Sequence, residues 1–263
     1  MTIWTQKSIE LANQRDYLDQ LYKIYPMANN LKRELAEDVI NELTARFAAQ
    51  DSVALIDLLL QQELFPIKDS YVAYLRKDRT AINRNPNTVN RIAGMLYELG
   101  FDKMINLMSV PKETNRQIGP LFKNWIRKNS LGAELVTDTE FFFNSQNNMV
   151  LNLDDTALMK FAQQYLGYSR DKGLDFIAKF NNNFVVGEAK FLTDFGGHQN
   201  AQFEDALQTL GAKFSVHQSI IPIAILDGVL YITGGNKLHR TITNLQKEIV
   251  ISALFLRDFL YSI

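Results

Sequence analysis

Two apolar runs separated by three asparagines constrain this chain more than any other stretch. Residues 173–180 and 184–191 are rich in Phe, Val and Leu or Ile, and Asn181-Asn182-Asn183 lies between them. Runs of that length around a short polar link read as an antiparallel β-hairpin. Side chains alternate along a strand, so Glu188 and Lys190 share one face and Ala189 and Phe191 take the other. The hairpin brings Asp175 beside that pair. Three charged groups then meet at one end of a sheet that is otherwise apolar.

Helices surround this hairpin. Leu18, Leu21, Tyr22 and Tyr25 recur at helical spacing, as do Leu35, Val39, Ile40 and Leu43. Asp51 reads as the N-cap of a helix over 53–64, and further helices are expected over 70–76 and 102–108. Asn87 or Thr88 should cap a helix through Leu99, with Gly100 closing it. The two helices around Asn85-Pro86 suggest a loose helix-turn-helix. After Pro111 the character changes. Residues 115–128 form an amphipathic helix with Gly119-Pro120 near its start, 140–144 read as a short strand, and Asp154 or Asp155 caps a helix that Gly167 ends. A helix over 200–214 follows, then a buried strand over 219–226, an Asp227-Gly228 hairpin turn, a returning strand over 229–233 and a long last helix over 241–261. The expected architecture is therefore an all-helical N-terminal domain, 1–110, serving DNA recognition or dimerisation, and an α/β (α+β) domain, 111–263.

Composition narrows the chemistry. The chain has no cysteine, which removes disulfides, cysteine-bound zinc, iron–sulfur clusters and a cysteine nucleophile. With only three histidines, His198, His217 and His239, a polyhistidine metal centre is not expected. No Walker loop, Gly-x-Gly-x-x-Gly or Gly-x-Ser-x-Gly motif is present. No run nears the roughly 18 apolar residues of a membrane span, so a soluble, cytoplasmic protein without a membrane partner is expected.

What can use Asp175, Glu188 and Lys190 together? Two neighbouring carboxylates repel unless a cation lies between them. A hard divalent ion with oxygen ligands fits, Mg²⁺ above all, and the Ala189 carbonyl can add a ligand. Such an ion holds a phosphate oxygen and acidifies a bound water. The lysine can position or deprotonate that water, or stabilise charge on the phosphate. This chemistry hydrolyses a phosphodiester. The plain alternative is a solvated hairpin face with a structural salt bridge.

The pattern Asp175, twelve residues, then Glu188-Ala189-Lys190 resembles the PD-(D/E)xK nuclease superfamily, and within it the type II restriction endonucleases. The likeness is specific over Gly173–Lys190 and extends at fold level from about Glu113 to the C-terminus. One departure is Leu174, where the motif is named for a proline. The resemblance implies a restriction-endonuclease-like mixed sheet flanked by helices. It also implies Mg²⁺ (Mn²⁺ substituting), double-stranded DNA as substrate and a homodimer. Asp175, Glu188 and Lys190 would be catalytic; Asp175, Glu188 and Ala189 would hold the metal. Glu113 or Glu140 would be an accessory acid. Arg116 and Gln117, and the loop after the motif with Gly197, His198, Gln199, Asn200 and Gln202, would meet DNA. Two other readings stay open: a repair or recombination nuclease of the same fold, and a non-catalytic DNA-binding module.

A formal net charge of −1 argues weakly against nucleic acid, but its distribution does not. Residues 68–128 carry twelve Lys or Arg and five Asp or Glu, a local +7 that leaves the remainder at −8. A basic middle can supply salt-dependent attraction to phosphates.

Overall fold

The hairpin forms, and a sheet is built around it. A computed structural model describes residues 1–26, 34–110 and 114–263, with the side chains of 114–117 and 198 outside the described set. Six strands, β1 (Glu134–Val136), β2 (Met149–Leu151), β3 (Phe176–Phe180), β4 (Asn183–Leu192), β5 (Ile220–Gly228) and β6 (Ile249–Ile251), lie side by side in chain order. β2, β3 and β4 pair antiparallel; β1 with β2, β4 with β5 and β5 with β6 pair parallel. The sheet is therefore mixed, as expected.

The hairpin turn is one residue tighter than the sequence suggests. Phe180 pairs with Asn183, which leaves Asn181 and Asn182 as the loop. Their φ angles are 47° and 64°. Two left-handed residues in a row match the twist of the flanking strands, and asparagine tolerates that region better than other residues with a side chain.

By packing, the chain forms two units: Met1–Met27 with Glu113–Ile263, and Ala28–Lys112. The first unit holds the sheet together with α1 (Ile3–Ala12) and α2 (Tyr17–Ile24). The second holds α3 (Glu37–Ala48), α4 (Ser52–Gln61), α5 (Ser70–Lys77), α6 (Ala81–Arg84), α7 (Pro86–Leu99) and α8 (Phe101–Met108). The first unit resumes with α9 (Thr114–Arg127), α10 (Thr139–Asn144), α11 (Asp155–Leu166), α12 (Gly197–Leu210), α13 (Lys237–Asn244) and α14 (Leu256–Ser262).

Alternation along β3 and β4 sorts the core into two layers. Phe176, Ala178, Val185 and Ala189 face Phe122 of α9, Phe203 of α12 and Leu21 of α2. Ile177, Phe184 and Val186 face Phe142 of α10 and Leu158 and Phe161 of α11. Each fully buried Val, Leu, Ile or Phe among them contributes roughly 1.5–3 kcal/mol. Asp154 caps α11 by accepting from the Ala157 N–H at 2.9 Å, and Gly167 ends it in the left-handed region at φ 65°. Asp51 caps α4 in the same way, through the Ala54 N–H.

Several expectations are corrected. The N-terminal helices α1 and α2 belong with the sheet, not with a helical domain 1–110. The Thr5 hydroxyl donates to the Val250 carbonyl at 2.8 Å, and the Ser252 N–H donates to the Ser8 hydroxyl at 2.9 Å. Residues 139–144 form a helix, α10, capped by Asp138, where a strand was expected. Helix α7 begins at Pro86 with Asn85 as its N-cap residue, ahead of Asn87 and Thr88, and the short α6 separates it from α5. Pro120 lies inside α9 instead of near its start. Asp227-Gly228 is not a hairpin turn: β5 runs through both residues and the chain leaves it as a 3-10 helix, Val229–Tyr231. Gly228, at φ 100°, lies so close to the Leu192 carbonyl that a Cβ there would fall 2.0 Å from its oxygen. The long last helix is in fact α13, β6, a short 3-10 turn and α14, because Ile249-Val250-Ile251 is a buried strand beside β5.

Asp227 is a buried hub. It is wholly shielded from solvent and accepts from the Tyr25 hydroxyl at 2.9 Å, the Ala253 N–H at 3.2 Å and the Ser252 hydroxyl. Tyr17 donates to it more weakly, at 3.5 Å, and its hydroxyl accepts from the Gly228 N–H at 3.0 Å. This cluster fastens α2 to the end of β5, where Asp227 pairs with Phe191 of β4. Burial pushes the Asp227 carboxyl up to about 6.

The helical unit as a whole, 28–112, carries eleven Lys or Arg and eleven Asp or Glu, so its charge balances. Arg79 pairs with Asp57, Arg84 with Asp78 at 2.6 Å, and Arg91 with Asp69 at 2.7 Å. Three of the cations in the basic stretch 68–128 are thus matched by acids of this unit.

Candidate active site

The charged residues of the hairpin meet on one face of the sheet. Residues 184, 186, 188 and 190 of β4 share a face, and so do 175 and 177 at the start of β3. Phe176 pairs with Gly187, and the Asp175 N–H donates to the Gly187 carbonyl at 3.2 Å, so Asp175 stands across from Glu188. Beyond Phe184 and Val186 the apolar layer stops, and the next two side chains on that face are Glu188 and Lys190.

Lys190 joins the two acids. Its Nζ lies 2.8 Å from Asp175 Oδ2 and 2.7 Å from Glu188 Oε1. It also donates to the Ala189 carbonyl at 3.2 Å. Asp175 Oδ2 accepts a further bond from the Ala189 N–H at 2.9 Å. Burial opposes the Lys190 charge, but Asp175 and Glu188 outweigh it and hold the ammonium above its ordinary range. Lys190 is therefore held as a cation by the two acids, suited to orienting a water or a phosphate oxygen.

Glu188 carries the strain of the site. It is almost fully buried. Its Oε1 is taken by Lys190, with Lys172 Nζ further off at 3.9 Å; Lys172 is itself held by Asp205 of α12. Its Oε2 is buried and has no hydrogen-bond partner among the described residues. Burial, then the nearby Asp175 charge, push the Glu188 carboxyl up to about 7. A buried, unpaired carboxylate oxygen is costly unless something positive meets it. Two carboxylates and the Ala189 carbonyl are hard oxygen donors, the kind a divalent ion takes. Mg²⁺ commonly uses one or two carboxylates and keeps waters for the rest. Among the described residues no group of three or more His, Cys, Asp or Glu gathers around one point.

The other expected site residues are not drawn into this cluster. Glu113 lies outside the described residues, as do the side chains of Arg116, Gln117 and His198. Glu140 is exposed in the first turn of α10. Gln199 turns inward: it is 5% exposed, accepts from the Thr193 N–H at 3.2 Å and braces the loop before α12. Asn200 donates to the Phe195 carbonyl at 3.3 Å. Gly197 is exposed, and a Cβ there would meet nothing within 4 Å. Gln202 is half-buried on α12. Lys172 and Asp205 are the neighbours of Glu188 that the sequence reading missed. They stand 15 residues or more from the Glu-x-Lys motif and follow no strand or helix period with it.

Comparison with known proteins identifies a family. The model describing the Tsp45I type II restriction enzyme family matches residues 2–263. No curated protein and no solved structure matches the chain. The match spans both packing units and favours a restriction enzyme over a repair nuclease or a non-catalytic module. The chain belongs to the Tsp45I type II restriction enzyme family and is a restriction endonuclease, a hydrolase acting on DNA.

Proposed function

We propose that the chain hydrolyses phosphodiester bonds in double-stranded DNA at a short specific sequence, by PD-(D/E)xK chemistry at Asp175, Glu188 and Lys190. The observation that carries this reading is the bare, buried Oε2 of Glu188 beside Asp175, with Lys190 already bonded to both acids. Asp175, Glu188 and the Ala189 carbonyl would hold Mg²⁺, or Mn²⁺ in its place. Bound there, the ion would polarise a phosphate oxygen and lower the pKa of a bound water. Lys190 donates: its ammonium orients the attacking water or a phosphate oxygen and offsets charge that builds on the phosphate. Ala189 fixes Asp175 through its backbone N–H. The apolar layers beneath keep the strands, and so the three groups, in register.

One such site cuts one strand, so a homodimer matched to a two-fold symmetric sequence accounts for cutting both. The helical unit, Ala28–Lys112, is assigned to DNA recognition or dimerisation. Arg116, Gln117, Gly197, His198, Asn200 and Gln202 are the proposed DNA contacts nearest the motif. Gln199, bonded inward, supports the loop. The enzyme would act in the cytoplasm; among the described residues, no helix is long and apolar enough to cross a membrane.

The test is a digest of phage duplex DNA with Mg²⁺, with Mn²⁺, and with a chelator. Discrete fragments with either metal and intact DNA with the chelator are expected. A smear would contradict sequence specificity, and cutting in the chelator would contradict the metal.

A further inference from the structure

Asp175 opens onto a cleft that the Glu-x-Lys motif does not explain. The cleft measures about 710 Å³ and runs between α9 and the start of α11. That is the size of a small-molecule pocket, but such pockets are mostly apolar. Here Lys123, Arg127, Lys160, Asp154 and Asp155 line the wall beside Asp175.

The charges are not equivalent. Each carboxylate of the wall is already engaged. Asp154 accepts from the Ala157 N–H, Asp155 pairs with Lys123, and Asp175 is bonded to Lys190 and Ala189. Lys123 is held further by the Leu153 carbonyl at 3.1 Å. Arg127 and Lys160 differ. Among the described residues Arg127 donates only to amide oxygens, Asn152 Oδ1 at 3.2 Å and Asn124 Oδ1 at 3.4 Å. Lys160 is exposed and has no ion pair or hydrogen bond among the described residues. Both cations keep their charge for an incoming anion. The facing turn of α9 presents Gly119 and Pro120, and a Cβ at Gly119 would meet nothing within 4 Å. A sugar–phosphate strand could therefore approach that turn closely.

We infer that this cleft is a phosphate-binding track: Arg127 and Lys160 hold phosphates of the DNA strand that enters the site at Asp175. The inference rests on the catalytic reading above for its direction, but the contact itself can be tested apart from catalysis. Positions 120, 123 and 127 fall on one stripe of α9 by helical spacing, and position 116 continues it. The track thus makes α9 a strand-guiding element, distinct from the loop before α12.

The experiment measures affinity for plain duplexes of several sequences, in chelator and across a range of NaCl. The full-length chain is compared with Arg127→Gln, Lys160→Gln, their double variant and Lys247→Gln. Lys247 is exposed just before β6, two strands across the sheet from β4, and does not line the cleft. Each cleft variant should lower the slope of log K against log [salt] by about 0.9, the double variant by about twice that, equally on every sequence. Lys247→Gln should keep the wild-type slope. A wild-type slope in Arg127→Gln and Lys160→Gln would overturn the track, as would an equal fall in Lys247→Gln. Glu188→Gln tests the catalytic reading separately: if that variant still cuts while the cleft slopes fall, the track stands and the catalytic assignment fails.

Discussion

Replacing Asp227 by asparagine should change how stability depends on pH by a calculable amount. The carboxyl is buried, and its pKa stands at about 6 against an ordinary 3.8. The folded state therefore binds the extra proton between those two values. Stability from this group is greatest at low pH, is lost as pH rises from about 4 to 6, and stays level above that. A gap of just over two units corresponds to roughly 3 kcal/mol at neutral pH. Between pH 5 and pH 7.5 the linkage relation leaves about half of that loss. Asparagine keeps the shape and cannot ionise. The stability difference, Asp227→Asn minus wild type, should then move in favour of the variant by roughly 1 kcal/mol across that interval. The sign at any single pH also depends on the bonds from Tyr25, Ser252 and Ala253, which the amide meets less well. The change with pH does not, because every other group cancels. Urea unfolding of both proteins at the two pH values measures it. A difference that is constant with pH would refute a buried, proton-binding Asp227.

Two further outcomes follow from the site and the hairpin. The Glu188 carboxyl, held at about 7, must lose its proton to accept a cation. Cutting at subsaturating Mg²⁺ should therefore rise steeply from pH 6 to pH 8, and saturating Mg²⁺ should shift that rise to lower pH. A profile indifferent to metal concentration would contradict it. Asn182→Ala should destabilise the fold by roughly 1–2 kcal/mol, because alanine is disfavoured in the left-handed region, whereas Asn182→Gly should be near neutral. Denaturant midpoints report both.

The hairpin and its three charged residues were legible because two signals coincide there. Alternation over eight residues fixes which side chains share a face, and consecutive asparagines mark a turn whose backbone few other residues tolerate. The caps Asp51 and Asp154 and the stop at Gly167 were legible for a similar local reason. What escaped depends on distant contacts. Strands β1, β2 and β6 have three residues each, too few to show a period. Phe141-Phe142-Phe143 has strand-like residue types, yet Asp138 caps it as a helix. Asp227-Gly228 has the composition of a hairpin turn, but Tyr17, Tyr25 and Ser252 supply the donors that let an aspartate end a buried strand. Helix α1 packs on the sheet through Thr5 and Ser8, and α2 through Tyr17, all more than 200 residues from their partners. Gln199 looked like a DNA contact by residue type and is spent on its own loop.

The central claim is that Asp175, Glu188 and Lys190 together cut DNA. Cleavage and binding of the same duplex by Asp175→Asn, Glu188→Gln and Lys190→Met test it most directly, with folding checked by circular dichroism. The account predicts that all three remain folded and bind DNA and that none yields fragments. Fragments at the wild-type rate from any one of them would contradict it.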